Sequence, residues 1–263
     1  MSALDFHCHA GSGTGLTGPW DTAAPLHRYL RRADWAGIAL TVLLPVFHED
    51  YAVANRALAR IVVSRPGRFV GFAMVHPARD RGRIHEMVRV AVDELGFRGI
   101  KVHRHDARIT REVCEAARAF SVPVLYDVMG EAWVTDLIAP EYPDVTFVVP
   151  HLGSFGDDWR AHRTVIDQMT RYSNVYTDTS GVRRFDFLVE AVERAGPDRV
   201  LFGSDGPWLH PALEMAKVRL LGLRKAEQDL ILRENAVRLL GLASRFRPQS
   251  ATRSPPALSR RPA

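Results

Sequence analysis

The sequence has little cysteine, no long apolar run and no charge bias in its body, and each shortage closes off a class of protein. Two cysteines in 263 residues, Cys8 and Cys114, cannot build a disulfide framework, and both fall in segments that read as regular elements. No apolar stretch approaches the roughly 20 residues that a membrane span needs. Met1-Ser2-Ala3-Leu4-Asp5 lacks the basic region and apolar run of a secretory signal. The expectation is a cytoplasmic protein without a membrane partner. The net charge of +5 does not point to nucleic acid either. From Ser244 onward the chain holds Arg245, Arg247, Arg253, Arg260 and Arg261 and no acid, so five arginines account for the whole excess. A basic face on the body is therefore not indicated. Residues 244–263 are rich in Pro, Ser and Arg without apolar periodicity, and read as a disordered tail on a body of residues 1–243.

That body alternates short runs of Val, Ile, Leu and Phe with longer stretches of helical spacing. Eight runs read as strands: Leu4–His9, Ile38–Leu44, Phe69–Val75, Gly99–His103, Val122–Tyr126, Thr146–Val149, Val175–Thr177 and Val200–Gly203. Helices are expected between them and twice after the last, over Ala212–Leu221 and Lys225–Leu240. Ser64-Arg65-Pro66-Gly67 and Gly196-Pro197 punctuate two helix ends, and Thr110 stands where a helix cap should. Strands alternating with helices argue for parallel βαβ units, and eight repeats in about 240 residues fit a single (β/α)8 TIM barrel better than an open sheet. Gly11-Ser12-Gly13-Thr14-Gly15 follows the first strand with Gly-x-Gly-x-Gly spacing, but Leu16-Thr17-Gly18-Pro19 opens no helix. The dinucleotide fingerprint requires that helix, so a mobile active-site loop is the better reading.

Candidate chemistry gathers at the C-terminal ends of these strands, where barrel enzymes place it. In Asp5-Phe6-His7-Cys8-His9 strict strand alternation sends His7 and His9 one way and Phe6 and Cys8 the other, giving a chelating pair of imidazoles. His151 ends strand six and Asp205 ends strand eight. Taken singly, each is as readily a structural histidine or a turn residue. Together, three imidazoles and a carboxylate converge on one mouth. Lys101 and His103 share a face of strand four, and an inward lysine is costly without a partner: a metal, a bound anion or Asp127, or simply an ion pair inside the barrel. Asp178 either orients a neighbouring imidazole or caps a loop. Arg183 and Arg184 follow strand seven. One of them can hold a substrate carboxylate, or both are solvated.

These stretches, with Arg68–Pro77, Gly96–His103, His151-Leu152-Gly153, Val175–Gly181, Leu201–Trp208 and Asn235-Ala236, run in one order that resembles the amidohydrolase-2 group. That group comprises metal-dependent barrel hydrolases and includes aminocarboxymuconate-semialdehyde decarboxylase and related aromatic-acid decarboxylases. The resemblance covers residue 5 to about 240. It implies that His7 and His9 bind one divalent metal with Asp205, zinc first and manganese second. It implies that His151 is a further ligand or a catalytic group, and it points to a homodimer. One departure stands out. The group usually ends strand five with a histidine ligand, whereas this chain has Pro123-Val124-Leu125-Tyr126-Asp127, so Asp127 is the expected substitute ligand.

The expected activity is hydrolysis of a small ester, lactone or amide by a metal-activated water. Asp205 would accept the water proton, His151 or His103 would steady the oxyanion, and Lys101 or Arg183 would hold a substrate carboxylate. The alternatives are metal-dependent decarboxylation of an aromatic or unsaturated acid, or a barrel that has lost its chemistry and only binds a ligand. Specificity is expected in the loops Gly11–Asp21, Phe47–Tyr51 and Ser154–Asp158.

Overall fold

Short β-branched and aromatic runs become strands here because each is buried on both sides, inside against the barrel interior and outside against helices. The computed structural model describes residues 2–14 and 23–243. The expected tail and the second half of the Gly11–Asp21 loop lie outside the described residues. The strands are β1 (Ala3–His9), β2 (Gly11–Ser12), β3 (Ala23–Ala24), β4 (Ile38–Leu44), β5 (Phe69–Gly71), β6 (Ala73–Met74), β7 (Ile100–His103), β8 (Val124–Asp127), β9 (Phe147–Val149), β10 (Val175–Asp178) and β11 (Val200–Leu201). The helices are α1 (Leu26–Ala36), α2 (Tyr51–Ser64), α3 (Ile84–Arg89), α4 (Arg111–Ala119), α5 (Trp133–Ile138), α6 (Trp159–Arg171), α7 (Phe185–Ala195), α8 (Pro211–Leu220), α9 (Lys225–Asp229) and α10 (Asn235–Leu239).

All ladders but one are parallel, in the order β1-β4-β5 and β6-β7-β8-β9-β10-β11. β5 and β6 are halves of one strand broken at Phe72; the first pairs with β4 and the second with β7. The ring closes through Phe6 N–H to Phe202 O (2.8 Å), Asp205 N–H to His7 O (2.7 Å) and a parallel bridge between Cys8 and Gly206. The eight expected strands thus form a closed (β/α)8 barrel. The exception is β2 with β3, an antiparallel pair in which Gly11 and Ser12 meet Ala24 and Ala23. The glycine-rich segment begins in that ladder. No helix among the described residues is long and apolar enough to cross a membrane.

The barrel interior is filled by Leu4, Phe6, Leu40, Val42, Leu44, Val70, Phe72, Leu125, Val148, Tyr176 and Leu201. Phe6 and Phe72 meet edge to face, centroids 5.5 Å apart. Ala236 and Val237 of α10, with Leu240 and Leu242 just after it, join this cluster and seal the N-terminal end of the strands. Asn235 fastens that plug with bonds to the carbonyls of Pro197 (2.8 Å) and Val200 (2.9 Å).

Three sequence expectations shift. Strict alternation fails in β1, whose pairing slips between Asp5 and Cys8. Phe6 joins the interior and Cys8 the outer layer, so they do not share a face, and consecutive Phe6 and His7 both look inward. Thr110 occupies the N-cap of α4, but its hydroxyl caps nothing and has no partner. The helix expected between strands three and four and the one expected over Lys225–Leu240 each contain one π-turn, Val90–Glu94 and Leu230–Glu234. Both cysteines are buried and free, as expected.

Candidate active site

The mouth of the barrel opens on a cavity of about 600 Å³. It is lined by His7, His9, Lys101, His103, Asp127, His151 and Asp205, and by the apolar walls Pro45, Phe47, Met74, Met129, Phe155, Trp208 and Leu209. Apart from Arg183 and Arg184 after β10, and Asp178, which is buried beneath the cavity, every residue singled out as a site candidate meets here; Arg184 is exposed and pairs with Asp186 at 2.6 Å. Arg183 lies exposed in the loop after β10 and does not line the cavity, because the chain turns outward into α7 at that point. Its expected hold on a substrate carboxylate has no geometric support.

The bulge in β1 brings the Nε2 atoms of His7 and His9 to 3.2 Å from each other. Asp205 Oδ1 stands 3.5 Å from the first and 3.4 Å from the second. The opposite ring nitrogens are already committed. His7 Nδ1 bonds Asp178 Oδ2 at 2.8 Å, and His9 Nδ1 bonds the Pro45 carbonyl at 3.1 Å. Both partners are acceptors, so each Nδ1 carries the proton and each Nε2 presents a lone pair. Two lone pairs and a carboxylate oxygen aimed at one point repel unless a proton or a cation lies between them. Burial pushes the His7 pKa down to about 4, so near neutrality it is a neutral imidazole, the ligand form. Burial raises the Asp205 pKa, but the His9 bond and the surrounding imidazoles outweigh it and keep the carboxylate ionised. His7, His151 and Asp205 also present ligand atoms within 4.8 Å of one another. The donor set fits one divalent cation held by nitrogen and oxygen, with a histidine-rich character that suits zinc and tolerates manganese.

Beneath these ligands lies a layer that the sequence hardly signals. Asp178 Oδ1 accepts from Ser180 Oγ (2.6 Å), Ser180 N (3.0 Å) and His151 N (3.2 Å), while Oδ2 holds His7. Burial raises the Asp178 pKa, but His7 and these donors bring it down to about 2. His151 Nδ1 bonds the Ser180 carbonyl at 2.7 Å, so its Nε2 faces the cavity. One Asp-x-Ser segment therefore fixes two imidazoles from different strands. Gly203 leaves the room: a Cβ there would sit 3.0 Å from His7 Cβ and 3.1 Å from the Asp178 carboxyl. On the outer side of β1, the Asp5 carboxylate accepts from His7 N, Ser204 N, the Ser204 hydroxyl and Tyr29 OH. Burial lifts its pKa to about 7 against those donors. Asp5 thereby ties β1 to the turn that carries Asp205. No local pattern marks Asp5 for this role, because only the fold supplies Ser204, 199 positions away.

The third group spans strands four to six. Asp127 Oδ2 lies 3.3 Å from His103 Nε2 and 3.6 Å from His151 Nε2, and Oδ1 accepts from Met129 N at 2.9 Å. Burial raises the Asp127 pKa, but His103, His151 and Lys101 pull it well below the usual carboxylate range. Asp127 is thus engaged between two imidazoles and lies outside the compact His7, His151 and Asp205 set. Lys101 is only 1% exposed, and its ammonium has no ion pair or hydrogen bond among the described residues, yet it borders the cavity. Burial lowers its pKa, and Asp127, Asp205, Asp178 and Asp106 raise it back in part.

The backbone is strained here as well. Met129, His151, Leu152 and Asp205 take φ between 46° and 60°, where side chains crowd the main chain, and among the described residues only one other non-glycine, Ser121, does so.

Residues 5–242 match the amidohydrolase family. No curated protein matches the sequence. Among solved structures, the barrel is similar to 2,6-dihydroxybenzoate decarboxylase from Rhizobium at 18% identity, over 92% of this chain and 99% of that one, with a TM-score of 0.72. It is similar to a dihydroxybenzoic acid decarboxylase from Polaromonas with bound manganese and the inhibitor 2-nitroresorcinol, at 20% identity over 94% and 99% of the two chains, TM-score 0.69. A candidate 2-pyrone-4,6-dicarboxylic acid hydrolase from Pseudomonas putida matches at 19% identity over 92% and 98%, TM-score 0.68.

Proposed function

The chain belongs to the amidohydrolase family, and on that premise we propose that it is a metal-dependent decarboxylase of a small, flat carboxylic acid. The observation that carries metal dependence is the facing pair of Nε2 lone pairs on His7 and His9 beside Asp205 Oδ1. His7, His9 and Asp205 would hold one divalent ion, zinc or manganese, with His151 as the fourth donor. When bound, that ion supplies Lewis acidity and an anchor for substrate oxygens. This reading puts decarboxylation ahead of the hydrolysis expected from the sequence, because two of the similar structures are named as decarboxylases of hydroxylated benzoic acids. The cavity walls point the same way. Phe47, Trp208 and Phe155 line a slot suited to a flat ring.

Each remaining residue has a task in this reading. Lys101 attracts an anionic substituent, and the apolar walls exclude water, which strengthens that attraction. As the ring-to-carboxylate bond breaks, CO2 leaves and its bonding pair stays on the ring carbon. That carbon needs one proton, and the His103–Asp127 pair is suited to hold it at 3.3 Å separation. Ser180 and Asp178 keep His151 and His7 in their tautomers.

Hydrolysis of a lactone or ester remains the second reading. It is favoured by the pyrone dicarboxylic acid hydrolase similarity and by an ionised Asp205 able to accept a water proton. The deciding experiment incubates zinc- or manganese-loaded protein with hydroxybenzoic acids and with pyrone carboxylates, and measures CO2 and acid release separately. CO2 in step with substrate loss supports decarboxylation. Acid release with ring opening and no CO2 replaces it with hydrolysis.

A further inference from the structure

A second cluster of charge sits on the outside of the barrel, and the reading of the mouth neither uses it nor depends on it. Arg28, Arg31, Arg32 and Trp35 follow one another at i, i+3, i+4 and i+7 along α1, which puts all four on one face. The opposite face buries Tyr29 and Ala33. With His210 at the start of α8, these four line a surface pocket of about 420 Å³ that no carboxylate borders among the described residues. None of the three arginines has an ion pair among the described residues, and the nearby Asp34 is taken by Arg68 at 2.6 Å. Their one side-chain hydrogen bond among the described residues is a long one, Arg32 Nη1 to the Pro207 carbonyl at 3.5 Å.

That arrangement works against the helix in two ways. Like charges at i, i+3 and i+4 repel, and Arg28 opposes the positive end of the helix dipole in the first turn. Trp35 adds a third cost, since it is 77% exposed. Its ring meets His210 edge-on, centroids 6.3 Å apart. His210 Nδ1 accepts from Ala212 N, which leaves Nε2–H as a further donor. The summed charge of the body hides this patch because its acids lie elsewhere.

We propose that this pocket binds a phosphate ester of a flat ring compound, of the nucleoside monophosphate kind. Guanidinium forks match phosphate oxygens two at a time, and three of them without carboxylate competitors favour a dianion over a monoanion. Trp35 provides the stacking surface for the ring, as indoles do for bases. The volume falls within the range of small-molecule sites.

The test is calorimetric titration of the full chain at low salt, after chelator treatment so that phosphate cannot bind a metal at the barrel mouth. The probes are adenosine 5′-monophosphate, adenosine and inorganic phosphate. The monophosphate is expected to bind at least about tenfold more tightly than either fragment, and added salt should weaken it. The R28Q/R31Q/R32Q variant should lose about 100-fold or more, R31Q alone about tenfold, and W35A about tenfold. R31Q keeps the test valid if the triple variant misfolds by circular dichroism. Monophosphate binding that is absent at millimolar concentration, or unchanged in R31Q and the triple variant, overturns the proposal. Equal binding of adenosine alone overturns the phosphate assignment. Binding of an acidic peptide in place of the monophosphate would make the pocket a protein contact.

Discussion

The two ends of the barrel are built from the same strands and obey opposite rules. At the N-terminal end, Leu4, Leu40, Val148 and Leu201 pack with Ala236, Val237 and Leu240, with Arg98 donating to the Leu240 carbonyl and Arg238 to the Tyr176 hydroxyl. At the C-terminal end, four histidines, two aspartates and a lysine crowd one cavity, and four residues adopt left-handed backbone. Stability is concentrated where the strands begin and stored strain where they end. Division of labour along each strand lets one barrel tolerate a costly site.

Substitutions that separate the two ends test that contrast. The largest effect is expected at Asp205→Ala, where turnover should fall by about 10³-fold or more and bound metal should be lost, with Tm nearly unchanged. Elemental analysis beside a melting curve checks it, and full metal content in the variant would remove Asp205 from the ligand set. Phe6→Ala, one residue from a ligand but inside the packed interior, should instead cost about 3–5 kcal/mol of stability. Denaturant unfolding reads this, and a cost under about 1 kcal/mol would mean the interior repacks freely. Asp178→Asn should weaken metal binding by about 10- to 100-fold by releasing His7 and His151. A metal-buffered titration that finds no change would leave Asp178 as scaffold only.

Lys101→Met sharpens the comparison further. An unpaired buried cation should destabilise the protein, so the variant is expected to melt higher while KM rises about tenfold, stability gained and binding lost at the same residue. A lower Tm would show that Lys101 has a structural partner. The smallest effect concerns the rim. Arg104 and Arg108 hold the Glu131 pKa down to about 2, with contacts of 2.6 and 2.7 Å. Because its folded value lies below its unfolded one, this contribution is present above about pH 4.5 and fades as pH falls toward 2. Glu131→Gln should therefore lower Tm by at most a few degrees near neutrality, and the gap should close on acidification. A gap that widens in acid would reverse the assigned sign.

The ring of eight strands was legible because each strand is a short apolar run between helical spacings, a local signal. His7, His9, His151 and Asp205 were legible because each stands at a strand end. What escaped depends on partners distant in sequence. Ser180 looks like a loop serine until the fold sets it beside His151 and His7 at 3.0 and 3.3 Å. Pro45 fixes His9 through its carbonyl, which no side-chain pattern announces. The slip in β1 reverses the face expected of Phe6, since alternation presumes an unbroken ladder. Arg183 failed for the opposite reason: proximity to a strand end says nothing about the direction of the following loop.

The plug formed by α10 sets a timetable for the chain. The first strand cannot be enclosed until residues 200–206 arrive to pair with it, and the floor beneath Leu4 and Phe6 is laid only by residues 236–242. A chain emerging from the ribosome must carry β1 half-covered until those residues, about 200 positions later, have followed it, a setting in which chaperones have most to do.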